Sequence, residues 1–264
     1  MGSSISCSNP IENTMNAMIF YPPNTPKESF EELNTAKSRL VTIMNGDQKI
    51  SALITVPQQY KFDEIRNIKT WLIFSHGNAT DVYEMSSYQK HLSNQLDVVT
   101  IFYDYPSYGL SNGKPNEENC YESSEIVIDF IMKEYGVLER NMLLVAQSIG
   151  TGILINSCSL RDWKTPIILI SPYKSIGRVV CDSSIVSLID KFETYRKLDR
   201  VNCPVKIFHG LQDTLIPHTH SRQIYNGLNN KILKPTFIMD ADHNNILEKI
   251  NIGDIQKVID FMNK

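Results

Sequence analysis

At 264 residues, with 42% hydrophobic and 21% charged side chains, the chain can bury one large core, and a single domain is the expected organisation. A formal charge of -3 without a long basic run leaves no electrostatic footprint for nucleic acid, which sets polynucleotide partners aside. The five cysteines, Cys7, Cys120, Cys158, Cys181 and Cys203, are scattered without metal-ligand or C-x-x-C spacing, so neither a metal centre nor a disulfide framework is expected and a reducing, cytoplasmic setting fits.

The first ten residues, MGSSISCSNP, contain the M-G-x-x-x-[ST] pattern for myristoylation of Gly2, followed directly by Cys7 as a site for palmitoylation. A single myristoyl chain binds membranes only marginally, at about 10⁴ M⁻¹, so a second signal is needed. The first lysine is Lys27, which leaves Cys7 as the nearby candidate and the cytoplasmic face of a membrane as the expected surface. The bland alternative is a small polar terminus. Residues 1–15 are read as a flexible tail and 16–264 as the folded domain. No charged-then-apolar leader opens the chain, and the longest apolar runs fall well below the roughly eighteen residues that span a bilayer.

RLVTIM (39–44) and ISALITV (50–56), separated by a segment with an Asn-Gly signal, predict an antiparallel pair. Six further runs rich in β-branched residues, at 70–77, 98–105, 142–147, 166–172, 204–210 and 235–240, read as buried strands. Helical stretches are predicted near 82–95, 117–134, 150–160, 219–229 and 253–263, the second opened by Pro115-Asn116-Glu117. This alternation predicts an α/β fold with a mostly parallel central sheet, helices on both faces and a minimal cap.

Polar residues gather at the strand ends, where open parallel sheets place ligand sites. Ser148 follows the strand 142–147 in Ala146-Gln147-Ser148-Ile149-Gly150, an elbow pattern with Ala in place of the usual first Gly. The alternative for Ser148 is a helix cap. A serine nucleophile needs a base, and the base needs an orienting acid. Asp213, in GLQDTLIP, and His243, in ADHNN, each follow a predicted strand and occur in the order Ser, Asp, His. The backbone amides of Asn78 and Ile149 are the candidate oxyanion donors, with Gly77 expected to let the chain turn closely. His76 and His209 are assigned structural hydrogen bonds, and His218 or His220 stands as a fallback base.

The stretches FSHGNA (74–79), YDYPSYGLSNGKPNEENCY (103–121), QSIGTG (147–152), SPYKSIGRVV (171–180), HGLQDTLIPHTHS (209–221) and HNNI (243–246) resemble the small α/β-hydrolase-domain proteins that remove palmitate from cysteines of membrane-bound proteins. The likeness runs over roughly residues 18–263. It implies an α/β-hydrolase fold, a Ser148–His243–Asp213 triad without cofactor or metal, and an acylated protein or lipid-like ester as substrate. This chain departs from the family at Ala146 and in offering one N-terminal cysteine where the family has a cluster. Val179, Val180, Ile185, Val186, Leu188, Ile189 and Phe192 either line an acyl groove or pack against the sheet. A general carboxylesterase or lipase remains open, as does a catalytically silent interaction module of the same fold.

Overall fold

A computed structural model describes residues 10–180 and 190–264, and each of the eight predicted runs forms a strand. These are β1 (Ser38–Asn45), β2 (Gln48–Thr55), β3 (Trp71–Ser75), β4 (Val99–Tyr103), β5 (Met142–Gln147), β6 (Ile167–Ile170), β7 (Val205–Gly210) and β8 (Thr236–Ile238). They form one sheet in the order β1-β2-β4-β3-β5-β6-β7-β8. Strand β2 runs antiparallel to both neighbours, and all pairs from β4 to β8 are parallel. The β1–β2 turn centres on Gly46-Asp47, one residue later than the Asn-Gly signal, because Asn45 pairs with Gln48. Gly46 has φ +58°, the left-handed value that matches a hairpin turn to the right-handed twist of its strands.

The α-helices are α1 (Pro10–Ile19), α2 (Ser86–Leu96), α3 (Glu117–Tyr135), α4 (Ile149–Arg161), α5 (Ile176–Val180), α6 (Thr219–Gly227), α7 (Ile246–Lys249) and α8 (Ile252–Met262). Alternate residues of each buried strand serve opposite faces. Trp71, Ile73, Leu144, Ala146, Ile167 and Leu169 join Val127, Ile128 and Ile131 of α3 and Ile153 of α4. Leu72, Phe74, Leu143, Val145, Ile168 and Ile170 join Leu92 and Leu96 of α2 and Val258 and Ile259 of α8. Each such aliphatic side chain, once buried, stabilises by about 1.5–3 kcal/mol. Helix α3 begins where the Asn116 side chain accepts the Asn119 amide at 2.8 Å and ends at Gly136, φ +68°. Cys120, Cys158 and Cys203 are buried free thiols. Among the described residues no helix is long and apolar enough to cross a membrane.

Two elements differ from expectation. Helix α1 begins at Pro10, so the boundary placed after residue 15 cuts through it. Its signal was present: Pro10 suits a first helical position, and Ile11, Met15, Met18 and Ile19 recur at helical spacing. Helix α2 starts at Ser86 and not at 82, because the preceding turn is held by the Asp81 carboxylate, which accepts the Glu84 amide at 3.0 Å. Gly2 and Cys7 lie outside the described residues, as do Cys181 and the groove candidates Ile185, Val186, Leu188 and Ile189.

Candidate active site

Strand β3 leads to β4 on one side of the sheet, while β5 lies against its other edge. The chain therefore switches direction across the sheet between β3 and β5, where parallel sheets open a crevice at the carboxyl ends of their strands. Asn78 follows β3 and Ser148 follows β5, so both border that crevice.

Ser148 has φ +50° and ψ -121°, a backbone state that costs a non-glycine residue about 1–3 kcal/mol. The surroundings hold it there. Its amide donates to the Ile170 carbonyl at 2.9 Å, and its carbonyl accepts from the Thr151 amide and hydroxyl at 2.9 and 2.7 Å. The hydroxyl makes no helix-capping bond, so the capping alternative does not describe this serine. Instead Oγ lies 3.0 Å from His243 Nε2. Gly150 is required by space: a Cβ there would sit 2.3 Å from the Ser75 carbonyl oxygen and 2.8 Å from that of His76. Ala146, by contrast, is fully buried in the core beside β3 and β6, where its methyl is accommodated.

Asp213 and His243 come from the loops after β7 and β8. Asp213 Oδ2 is 2.8 Å from His243 Nδ1, and Oδ1 accepts the amides of Leu215 and Ile216 at 3.0 and 2.7 Å. Burial alone would raise the Asp213 pKa. Hydrogen bonds from His209 and His243, the charge of His243 and the Ile216 amide outweigh it and hold the carboxyl below the usual carboxylate range. An ionised carboxylate only accepts, so the proton of His243 sits on Nδ1 and Nε2 is left to accept the Ser148 hydroxyl. The loop that carries His243 is held by Asp242, whose Oδ1 accepts the amides of Asn244 and Asn245 at 2.8 and 2.9 Å.

The other histidines fall elsewhere. His76 Nδ1 donates to the Gly77 carbonyl at 2.7 Å. His209 bridges Ser221 Oγ at 2.6 Å and the Ile216 carbonyl at 2.7 Å, with Nε2 3.4 Å from Asp213 Oδ2; it braces the loop that carries Asp213. His218 packs against the Phe237 ring and His220 Nδ1 accepts the Lys174 amide; neither is among the residues lining the cavity at Ser148, and the ring bonded to Ser148 Oγ is that of His243.

Ser148, His243, Asn78 and Ile149 line one cavity of about 570 Å³. The Ile149 amide is the first of α4, where no intrahelical acceptor exists and the helix dipole is positive. Gly77 does not have the role expected of it. A Cβ there would make only ordinary contacts, 3.6–3.7 Å from Gln147 and Ser148, and its φ is not positive, so neither crowding nor a left-handed turn requires glycine at 77. Most of the remaining wall is apolar, with Met18 and Ile19 of α1, Met85, Ile176, Val179, Leu215 and Leu247, while Thr80, Gln147 and Asn244 add polar groups. Val179 thus faces the cavity, whereas Phe192 is fully buried between the rings of Phe20 and Tyr121 and belongs to the core. Helix α1, through Met18 and Ile19, and Tyr21 form one side of the site, although no catalytic motif marks them in the sequence.

A serine on a strained strand-to-helix turn, hydrogen-bonded to a histidine and through it to an aspartate above a mostly parallel eight-stranded sheet, is the arrangement that defines α/β hydrolases. The "Putative alpha/beta hydrolase L404" of Acanthamoeba polyphaga mimivirus is 44% identical over 262 residues, 98% of this chain and 97% of that protein. The chain belongs to the α/β-hydrolase family. "Alpha/beta hydrolase domain-containing protein 17B" of Homo sapiens is 33% identical over 181 residues, 68% of this chain and 62% of the human protein. The Caenorhabditis elegans protein aho-3, also an α/β-hydrolase-domain protein, is 34% identical over 176 residues, 66% of this chain and 52% of its own length. No protein-family model matches the chain. Among solved structures, an α/β hydrolase from Vibrio vulnificus has a TM-score of 0.74 at 13% identity, covering 96% of this chain and 94% of its own. Est1E from Butyrivibrio proteoclasticus with ferulic acid bound has a TM-score of 0.67 at 17% identity, covering 84% and 98%. At these identities the likeness is one of fold.

Proposed function

We propose that the protein is a serine hydrolase that cleaves long-chain acyl thioesters, removing palmitate or a similar acyl group from protein cysteines. The observation that carries this reading is the Ser148–His243–Asp213 chain, at 3.0 and 2.8 Å, opening into a mainly apolar cavity of about 570 Å³. His243 Nε2 takes the Ser148 proton as Oγ attacks the acyl carbonyl carbon, and Asp213 holds the tautomer and stabilises the imidazolium. The amides of Asn78 and Ile149 stabilise the oxyanion. As the C–S bond breaks, His243 returns the proton to the leaving thiolate. Water, deprotonated by His243, then attacks the acyl-enzyme, and the fatty acid leaves as Ser148 regains its proton. The resemblance of QSIGTG, of Gly113-Lys114-Pro115 with Glu117, and of Ser171-Pro172 followed by Gly177-Arg178-Val179 to membrane-associated depalmitoylases supports this substrate class over other esters.

Each methylene moved from water into the cavity contributes about 0.8 kcal/mol, or about fourfold in affinity. Across thioesters from butyryl to palmitoyl, kcat/KM should therefore climb until the cavity is filled. A fluorescent fluorophosphonate should label Ser148. If butyryl esters and thioesters turn over as fast as palmitoyl ones, the long-chain reading fails and a general carboxylesterase takes its place.

Membrane attachment through acyl groups on Gly2 and Cys7 belongs to the same proposal. In a host with N-myristoyltransferase, Gly2→Ala should release the protein from membranes, and a wild-type N-terminal peptide carrying no acyl mass would remove this part of it.

A further inference from the structure

We infer that the side chains of Asn78 and Tyr108 form a positioning device that sets the oxyanion amide of Asn78 by tying its loop to the end of helix α1. The inference rests on the proposed role of that amide in acyl transfer.

The Asn78 side chain makes four hydrogen bonds. Oδ1 accepts from Tyr108 Oη at 2.5 Å and from the amides of Tyr21 and Ala79 at 3.1 Å each, and Nδ2 donates to the Ile19 carbonyl at 2.6 Å. The Tyr21 amide is shared with Tyr108 Oη, also at 3.1 Å. Whereas Ser148 Oγ and the His243 ring bond along the triad, these groups bond one another. They grip a loop whose backbone is under strain, since Ala79 next to Asn78 has φ +56°. Tyr108 is itself mounted rigidly. It is fully buried, between Ser107 at φ +74° and Gly109 at φ +50°, in a turn so close to Asp104 that a Cβ on Gly109 would lie 2.1 Å from Oδ2. The near side of the loop is fixed independently, as the His76 carbonyl accepts Tyr105 Oη at 2.6 Å.

An oxyanion donor acts only within a narrow range of positions, about 0.5 Å. Ala79 and the α1 terminus bear on that position through one amide side chain, so a loosened clamp displaces the donor without removing it. The last turn of α1 thereby becomes part of the catalytic scaffold, although α1 contributes no reacting group.

The test compares Asn78→Ala, Tyr108→Phe and Ala17→Pro in the full chain. Ala17 is exposed on α1, and proline there removes a helix bond in the turn that presents the Ile19 carbonyl without replacing any cavity side chain. Active sites are counted by fluorophosphonate titration, and kcat, KM and the affinity of a trifluoromethyl ketone, which mimics the oxyanion, are measured per active site. Asn78→Ala should lower kcat about tenfold to a hundredfold, short of losing a donor outright. Tyr108→Phe and Ala17→Pro should lower it severalfold, KM should stay nearly constant, and ketone affinity should fall in step with kcat. A purely structural role would lower only the fraction of titratable sites, and kcat and ketone affinity per site within twofold of wild type in Tyr108→Phe and Ala17→Pro would overturn the inference. Failure of the wild type to react at Ser148 would instead overturn the proposed chemistry, a result distinct from either.

Discussion

Ser148→Ala should abolish almost all turnover while leaving the protein folded. Removing the nucleophile of such a triad costs about 10⁶ in kcat, and what survives, about 10³–10⁴ over water, comes from the oxyanion donors and binding. The fold should tolerate the change because the backbone around residue 148 is held by its own amide and carbonyl, and its hydroxyl caps nothing. Relief from the serine hydroxyl does not relieve the φ of +50°, which alanine inherits. Steady-state turnover of a long-chain thioester, with thermal unfolding as the control, checks the result. A Ser148→Ala protein that is folded and retains a tenth of wild-type activity would end the acyl-enzyme mechanism.

Asp213→Asn should lower kcat by about 10⁴ with little change in KM. The amide would present an N–H to His243 Nδ1 and favour the tautomer with its proton on Nε2, so that the ring no longer accepts from Ser148. The Leu215 and Ile216 amides would still find an acceptor oxygen in asparagine, which is why the loop should survive. Asp240 supplies the contrast. It pairs with Lys249 at 2.6 Å on the surface, and Asp240→Asn should leave kcat within about twofold, as exposed ion pairs contribute little. Damage from Asp240→Asn matching that from Asp213→Asn would show that the acid is misassigned.

The same carboxylate bears on pH. Because the folded-state pKa of Asp213 is depressed below its unfolded value, its ionised form stabilises the native state above the ordinary carboxylate range. That contribution is lost as pH falls through the lower, folded-state value. An acid limb of the kcat profile at higher pH therefore belongs to another group, and Asp213→Asn should reduce activity across the whole profile.

Much of this protein was readable from local signals. A strand buried on both faces needs only a short apolar run between turn residues, which made β3 to β7 visible, while the run at 235–240, read as a buried strand, forms the short β8 whose residues are only half-buried, and β1 buries Ile43 alone. Ser148, Asp213 and His243 each follow such a run, and their chain order suffices to nominate them. Helix α3 announced itself through Pro115-Asn116-Glu117, since the capping role of Asn116 depends on a residue no more than one turn away. Helix α1 was equally periodic but short, and a ten-residue helix carries little stability alone; docking makes it part of the domain.

What tertiary structure alone decided are the meetings between distant segments. Ser148 and His243 are 95 residues apart in sequence, Tyr21 and Tyr108 87, and Nδ2 of Asn78 reaches a carbonyl 59 residues away. No periodicity or turn signal reports such pairs, because each depends on how sheet order and loop closure bring strand ends together. For that reason the sequence determined an α/β domain with a serine, an aspartate and a histidine at its strand ends. Only the folded chain decided that Ser148 would bond to His243 and not cap its helix, that the partners of His209 would be Ser221 and the Ile216 carbonyl, and that Asn78 would hold the N-terminal helix against the site.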